Sequence, residues 1–314
     1  MKLIKKIIFI VGILLVLAFC YISLEAFDWS KLHFSLHSLW NHPQWLFLMT
    51  FFYTLAFLLR AIAWKMYMKG KITLSSAVVS LFYSLAINHL FPVKAGDMVR
   101  IGIIRNKNKN IAIDEAIHSV VMMRLFDMLS LIGIAAIGLY LVAGYIRFFV
   151  VPFSLLFGLG LCFCLALFVG LKKARHLGRR QFGLLRESVL TKQFPFLLVL
   201  IWLSWISEGV VVYSIANVIG CSLSAVESVW VNSMTIGGQV FQITPGGIAT
   251  YETIMSGALT LIKLPLEDSY IIALTSHAYK FIYSYAAGII ALLFMPITVS
   301  QLRLWMRKKG EKQS

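Results

Sequence analysis

The feature of this 314-residue sequence that most restricts its fold is a series of apolar runs, each long enough to cross a lipid bilayer. The hydrocarbon core is about 30 Å thick, and a helix needs about 20 apolar residues to cross it. The six longest runs lie at about 4–24, 44–64, 125–146, 148–170, 196–219 and 270–299. Only 13% of the residues are charged, against about a quarter in soluble chains. The sequence predicts an all-α polytopic membrane protein, with one integral membrane domain over residues 1–314.

The positions of the lysines and arginines predict the topology. Five basic clusters lie at 2–6, 65–71, 94–109, 172–192 and 303–312. Short cytoplasmic loops carry an excess of these residues, so all five clusters and both termini are expected in the cytoplasm, at the cell membrane. The net charge of +16 is then explained by attraction to anionic inner-leaflet lipids. The basic residues flank spans and form no single stripe, so no nucleic-acid partner is predicted.

The N-terminal run is predicted to be an uncleaved first span. Its apolar stretch continues to about Leu24, longer than the apolar region of a signal peptide. The outer connection that follows contains His33 and His37 at helical spacing, where a metal could bind. An interfacial amphipathic turn anchored by Trp40 and Trp45 accounts for this segment better.

A shorter apolar run, LSSAVVSLFYSLAINHLFP at 74–92, has basic clusters on both sides. Both of its flanks are therefore expected in the cytoplasm, and the segment must enter the membrane and return without crossing. This arrangement predicts a re-entrant hairpin. Asn88, His89 and Pro92 are expected at its turn or on its returning limb.

A second interrupted region covers 224–263 and has the motif TPGGIATYE at its centre. An even number of crossings must separate the basic loop from the basic C-terminal tail. The region therefore forms either a second hairpin, entering from outside, or two further crossings. The whole chain is expected to hold six to eight transmembrane helices, with one or two re-entrant or broken segments.

The two interrupted regions resemble each other, since each has a proline and glycine break followed by a carboxylate. The break residues are Pro92 and Gly96 in the first region and Pro245, Gly246 and Gly247 in the second. Broken segments in corresponding positions of two halves indicate a transporter with an inverted repeat. The halves are expected at about 1–170 and 194–302, with a cytoplasmic loop at 171–193 and a tail at 303–314. Close helix packing is the alternative explanation for Gly237 and Gly238.

Several ionisable residues fall inside apolar segments, where a charge costs at least about 2.5–3.5 kcal/mol on insertion scales. Such residues usually pair or face a polar cavity. Arg124 with Asp127, and Asp97 with Arg100, have the spacing of local helical pairs. Glu208 and Glu252 are predicted to be functional, and Lys280 shares a helix face with His277, which packing alone also explains. Arg60 is close enough to the end of its span to reach the cytoplasmic interface.

No P-loop, GxSxG or HExxH motif occurs, and the four cysteines form no CxxC pair. The sequence therefore predicts no cofactor, no metal site and no catalytic residues. ATP-driven pumping by this chain alone is not expected.

The motifs NHLFPVKAGDMVR at 88–100, RLFDMLSLIG at 124–133 and TPGGIATYE at 244–252 resemble those of one membrane family. Their order and spacing are similar to the flippase-like transmembrane region of lysylphosphatidylglycerol synthases, over nearly the whole chain. Three positions depart from the family pattern: Asp97 replaces a glutamate, Ala249 stands where a third glycine is common, and Lys280 stands where an arginine is usual. The last exchange removes a bidentate phosphate donor and affects which headgroup is bound.

The resemblance, together with the buried charges, defines a candidate site. The expected substrate-binding residues are Asn88, Asp97, Arg100, Arg124, Asp127, Glu208, Glu252 and Lys280. The family's synthases carry an aminoacyl-transferase domain after this region, whereas this sequence ends at Ser314, so synthase activity is not expected.

Three functions remain open at this level. The leading hypothesis is a lipid flippase that moves a phospholipid or lipid-linked headgroup through a polar cavity. The alternative is a non-catalytic membrane partner of a separate glycosyltransferase or lipid synthase. An intramembrane enzyme that uses Glu252 or Asp97 as an acid is the least supported, because no second catalytic group is found at suitable spacing.

Overall fold

The computed structural model describes residues 2–91, 95–108, 110–142, 193–239, 244–298 and 300–301. These residues form helices and connecting turns, with no strand among them, which confirms the all-α class. The predicted span at 148–170, the tail at 303–314 and all but the last residue of the loop at 171–193 lie outside the described residues. So does Pro92.

Ten α-helices and one short 3₁₀ turn make up the described part of the chain. They are α1 Lys2–Ala26, α2 Trp29–Asn41, α3 Pro43–Tyr67, α4 Leu74–Leu90, α5 Gly96–Lys107, α6 Ile113–Val142, α7 Phe194–Val218, α8 Ala225–Gly238, the 3₁₀ turn Pro245–Gly247, α9 Thr250–Leu261 and α10 Leu266–Phe294. Four of them, α3, α6, α7 and α10, are long and apolar enough to cross a membrane. Counting the bent pair α1 and α2 as one span gives up to five within the described residues. The total of six to eight stays a prediction.

Helix α2 leaves the axis of α1 at a bend of 91°. Asp28 caps α2 by accepting hydrogen bonds from the backbone N–H groups of Ser30 and Lys31, and the side chain of Trp40 is exposed. Lys31 donates hydrogen bonds to Glu267 and Asp268 at 2.7 and 2.9 Å, and these bonds raise the pKa of Lys31. They hold α2 beside the start of α10, in agreement with an interfacial position for α2.

Helices α4 and α5 form a tight hairpin. The N–H of Gly96 donates a hydrogen bond to Asn88 Oδ1 at 2.9 Å, and a Cβ at Gly96 would lie only 2.7 Å from the Cα of Ser84. The absence of a side chain therefore lets α5 pack directly on the α4 backbone. The two helices contain 17 and 12 residues, about 26 and 18 Å at 1.5 Å per residue, which is less than the bilayer core.

Helices α8 and α9 form a second hairpin, which favours that alternative over two separate crossings. They pack against each other, and their 14 and 12 residues give lengths of only about 21 and 18 Å. Ser224 and Glu227 start α8 with a reciprocal capping box. The break between the helices has positive φ at Gly246, Gly247 and Ala249. At Ala249 the positive φ is a conformation that glycine adopts freely and that a Cβ strains.

The hairpins start from opposite ends of the bundle and their tips meet inside it. Lys71 bonds to Glu115 at 2.6 Å, which places the start of α4 beside the start of α6. Helices α3 and α7 run antiparallel, since Arg60 contacts Ser204 and Trp45 contacts Tyr213. Helix α8 follows the end of α7 and therefore starts at the opposite end of the bundle from α4, where Cys221 lies near Lys31 and Asp268. At the centre, α4 contacts the 3₁₀ turn of the second hairpin. This geometry agrees with an inverted repeat, although the repeat itself stays a prediction.

Candidate functional site

The two hairpin tips border a cavity of about 140 Å³ in the middle of the bundle. Its walls come from α3, α4, α5, α6, α7, α8, α9, α10 and the 3₁₀ turn. The polar lining residues are Tyr53, Arg60, Ser84, Asn88, His89, Arg100, Arg124, Asp127, Trp205, Glu208, Gln239, Tyr251, His277 and Lys280. Nearly every buried ionisable group in the described residues thus lies at or beside one cavity.

One wall is built around Glu208, in the middle of α7. One of its carboxylate oxygens accepts a hydrogen bond from Arg60 Nη2 at 2.6 Å, and the other accepts from Lys280 Nζ at 3.1 Å. Lys280 also donates to Asn232 Oδ1 at 2.9 Å. The Arg60 guanidinium lies 3.8 Å from the Trp205 ring centroid, in a cation–π contact. Arg60 therefore points into the bundle and does not extend to the cytoplasmic interface.

A second polar group lies where Arg124 on α6, which lines the cavity, bonds to Asp97 on α5. Arg124 donates to both carboxylate oxygens of Asp97, at 2.9–3.1 Å. Arg100 Nη1 lies 3.6 Å from Asp97, so this predicted local pair is present. The local pair expected between Arg124 and Asp127 is replaced by the bond from Arg124 to Asp97. The long arginine side chain extends to the neighbouring helix and donates from both Nε and Nη2 to the Asp97 carboxylate.

The third polar group lies at the second hairpin tip. His277 Nδ1 is 2.6 Å from Glu252 Oε1, and His277 Nε2 is 3.2 Å from the carbonyl oxygen of Gly246. Tyr251 stacks on the imidazole with ring centroids 4.1 Å apart. Glu252, the acid that follows the backbone break, is thus tied through one histidine to the break itself.

The structure brings the predicted site residues together. Six of the eight line the cavity: Asn88, Arg100, Arg124, Asp127, Glu208 and Lys280. Asp97 and Glu252 lie one hydrogen bond behind the wall, held by Arg124 and His277 respectively. Gly96 and the Pro245–Gly247 turn form the described parts of the two tips.

Sequence reasoning missed part of the site. Arg60 and Asn232 hold Glu208 and Lys280 in place, but they lie 148 and 48 residues away from those partners in sequence. Tyr251 belongs to the TPGGIATYE motif and His89 was expected near the first hairpin tip, but neither was predicted to be a site residue. His277 had one, because it shares a helix face with Lys280.

The cavity wall has an excess of cations. Arg60, Arg100, Arg124 and Lys280 face two lining carboxylates, Asp127 and Glu208. Two buried atoms of this wall, Arg100 Nε and Asp127 Oδ1, have no hydrogen-bond partner among the described residues. Buried polar atoms are normally paired, so the wall keeps hydrogen-bonding capacity for both an acceptor and a donor of a ligand.

Apolar spanning helices around a polar centre, with two broken hairpins meeting there, define a multi-pass membrane protein. Residues 9–288 match the model of the family described as the lysylphosphatidylglycerol synthase TM region. The chain belongs to this family, a membrane domain associated with lipid synthesis or transport. No curated protein and no solved structure matches the chain.

Proposed function

We propose that this protein moves a phospholipid or lipid-linked headgroup between the leaflets of the cell membrane. The headgroup passes through the central cavity while the acyl chains stay in the bilayer. The observation that carries this proposal is the cavity itself, bordered by two hairpin tips and lined by four cations against two carboxylates.

The cationic wall suits the phosphate that phospholipids and lipid-linked glycans share. Arginine guanidinium groups bind phosphate oxygens through paired hydrogen bonds, and lysine contributes a point charge. Asp127 supplies an acceptor for a headgroup amine or hydroxyl. A volume of about 140 Å³ is small beside the roughly 300–1,000 Å³ of sites that enclose a whole drug-sized ligand. It suits a headgroup, with the chains outside.

Broken helices at this depth fit a transport pathway. In lipid, non-helical backbone is tolerated only where it is buried in protein or lines a polar cavity. The second break satisfies this condition, because Gly246 lines the cavity and the 3₁₀ turn around it packs against α4. In this proposal the termini are cytoplasmic, the basic clusters contact anionic inner-leaflet lipids, and the chain makes or breaks no covalent bond.

The test is reconstitution of the purified protein into vesicles that contain fluorescent lipids of varied headgroup. A membrane-impermeant quencher reports how fast the outer-leaflet lipid exchanges. Transport above the protein-free rate is expected for at least one phosphate-containing headgroup, and Lys280→Met should reduce it, because the wall loses a cation.

A matched control is Lys263→Met, which removes a lysine from the connection between α9 and α10, away from the cavity. If the wild type moves no lipid in vesicles of any headgroup composition, the partner of a glycosyltransferase or lipid synthase becomes the better account. Copurification with such an enzyme would then be the next measurement.

A further inference from the structure

The phosphate site proposed at the cationic wall gives no role to the pair Glu252 and His277. Both side chains are buried, at 4% and 2% exposure. The imidazole uses both nitrogens: Nδ1 lies 2.6 Å from Glu252 Oε1, and Nε2 lies 3.2 Å from the Gly246 carbonyl oxygen. This histidine therefore connects a carboxylate to the backbone break.

The partners of the imidazole fix the number of protons on the pair. A carbonyl oxygen only accepts hydrogen bonds, so Nε2 must carry a proton to bind Gly246. The contact between Nδ1 and Oε1 then needs a second proton, on Nδ1 if Glu252 is ionised or on the carboxyl group if it is neutral. In either form the pair has no net charge.

Loss of one proton changes these contacts. A neutral imidazole has a single N–H and cannot donate to both Glu252 and Gly246. The bond to the ionised carboxylate is the stronger, because charge-assisted hydrogen bonds exceed neutral ones. The Nε2 lone pair then faces the Gly246 carbonyl oxygen, and the bond that holds the break is lost.

We propose that Glu252 and His277 form a proton-binding site that latches the second hairpin tip. With the proton bound, His277 holds Gly246; without it, the tip is released. Since Gly246 lies in the turn that contacts α4, the proton controls how the two tips meet at the cavity. This inference rests on the proposed transport function and names the proton as its coupling ion.

The pair lies among other ionisable groups at the cavity. Lys280 and Glu208 already bind each other, and His89 lies 6.4 Å from the His277 ring. The titratable or charged groups near the pair are His89 on α4, Tyr251 on α9, and Tyr270 and Lys280 on α10. Beyond them, Glu208 on α7 binds Lys280, and Cys20 on α1 lies near Tyr270. Helices α2 and α8 contribute the uncharged Ser35, through its bond to Thr275, and Asn232.

Hydrogen–deuterium exchange of the wild-type protein in lipid nanodiscs tests the latch without any transport. Uptake is measured over residues 244–252 from about pH 5.5 to about pH 8.5, the range in which a histidine changes charge, and is divided by the intrinsic exchange rate at each pH. Loss of one hydrogen bond of a charged pair predicts a rise of about tenfold in the corrected uptake as pH increases.

Two variants should fix the latch in opposite states. In Glu252→Gln the amide donates to Nδ1 and leaves the proton on Nε2 for Gly246, so uptake should stay low at every pH. His277→Phe keeps a ring against Tyr251 but removes both hydrogen bonds, so uptake should stay high at every pH. Glu227→Gln and His37→Gln, which change the same residue types away from the cavity, should follow the wild-type curve.

The latch would be wrong if the corrected uptake of the wild type did not change with pH, or if that of Glu252→Gln rose with pH as in the wild type. Uptake in α3 and α7 reports whether each variant is folded. A His277→Phe protein that is unfolded leaves the Glu252→Gln comparison to decide.

A transport assay in vesicles tests the proton-binding latch and the proposed transport function separately. A pH gradient should change the initial rate of lipid movement severalfold in the wild type, with that response lost in Glu252→Gln, whereas a sodium gradient should have no effect. Lipid movement that ignores the pH gradient, or follows the sodium gradient, would overturn proton coupling. If no lipid moves but the corrected uptake over residues 244–252 still rises with pH, the proposed transport function is wrong and the proton-binding site is supported.

Discussion

Glu208 holds two buried cations at once, and this makes it the residue whose loss should cost the most stability. In Glu208→Ala, Arg60 and Lys280 lose their shared carboxylate while staying buried. Removing one partner of a buried ion pair typically costs about 3–5 kcal/mol. A large decrease in the thermal unfolding temperature in detergent is expected.

Glu227→Ala is the matched control, because Glu227 is a half-buried capping residue at the start of α8, away from the cavity. Its loss should cost no more than about 0.5–2 kcal/mol, the range measured for helix caps. Equal unfolding temperatures for the two variants would contradict the role assigned to Glu208.

The bond from Arg124 to Asp97 is the second prediction at this scale. A double-mutant cycle with Asp97→Asn and Arg124→Gln should give a coupling energy of about 0.5–3 kcal/mol, as expected for residues in direct contact. The parallel cycle with Asp127→Asn and Arg124→Gln should give less. A larger coupling in the second cycle would favour the local pair that the sequence predicted.

These residues also show where sequence reasoning stops. Glu208, Lys280 and Arg124 were selected because a charge inside an apolar segment is costly. Their partners were not predictable, because Arg60 and Asp97 come from other helices and depend on how those helices pack. A helical spacing of three residues permits a pair, but tertiary packing decides which carboxylate the arginine binds.

Among the helical elements, the first hairpin depends on the close approach at Gly96. Gly96→Ala would push a methyl group against the backbone of Ser84, and overpacking of this kind costs about 1–3 kcal/mol. Gly237→Ala is the control, since no atom lies within 4 Å of its added Cβ. A helical position of that kind should gain up to about 1 kcal/mol. Unfolding temperatures that fall for Gly96→Ala and hold or rise for Gly237→Ala would support the hairpin packing.

The sequence predicted a returning path for the first region and allowed a hairpin for the second, but it did not predict that the two hairpins contact each other. Basic clusters on both sides of 74–92 predicted that this segment enters and returns on its own. In the structure Leu74–Leu90 is a single helix, and the returning limb is α5, Gly96–Lys107, which lies within the basic cluster at 94–109. The second region left two topologies open, because a hairpin and two crossings both give an even number of crossings between the basic loop and the basic tail. The shortness of α8 and α9 favours a hairpin, and only the folded chain places its tip against α4.

At the scale of the whole molecule, the topology predicts which ends of the bundle are reachable from outside the cell. Single cysteines at Trp40 and Ser222 should react with an impermeant thiol reagent added outside, and a cysteine at Lys107 should not. The basic clusters predict a cytoplasmic location for Lys107, at the end of the returning helix α5. External labelling at Lys107 would mean that this segment crosses the membrane, and the opposed arrangement of hairpins would be wrong.

The most direct test of the central claim is to fill the cavity. Ile236 on α8 lines it and is half-buried, so Ile236→Trp places an indole where the headgroup is proposed to pass. Ile289→Trp, on an exposed face of α10, adds the same side chain away from the cavity. With both proteins folded and inserted, lipid movement in vesicles should fall to the protein-free rate for Ile236→Trp and stay at the wild-type rate for Ile289→Trp. Wild-type transport by Ile236→Trp would contradict the cavity as the headgroup path.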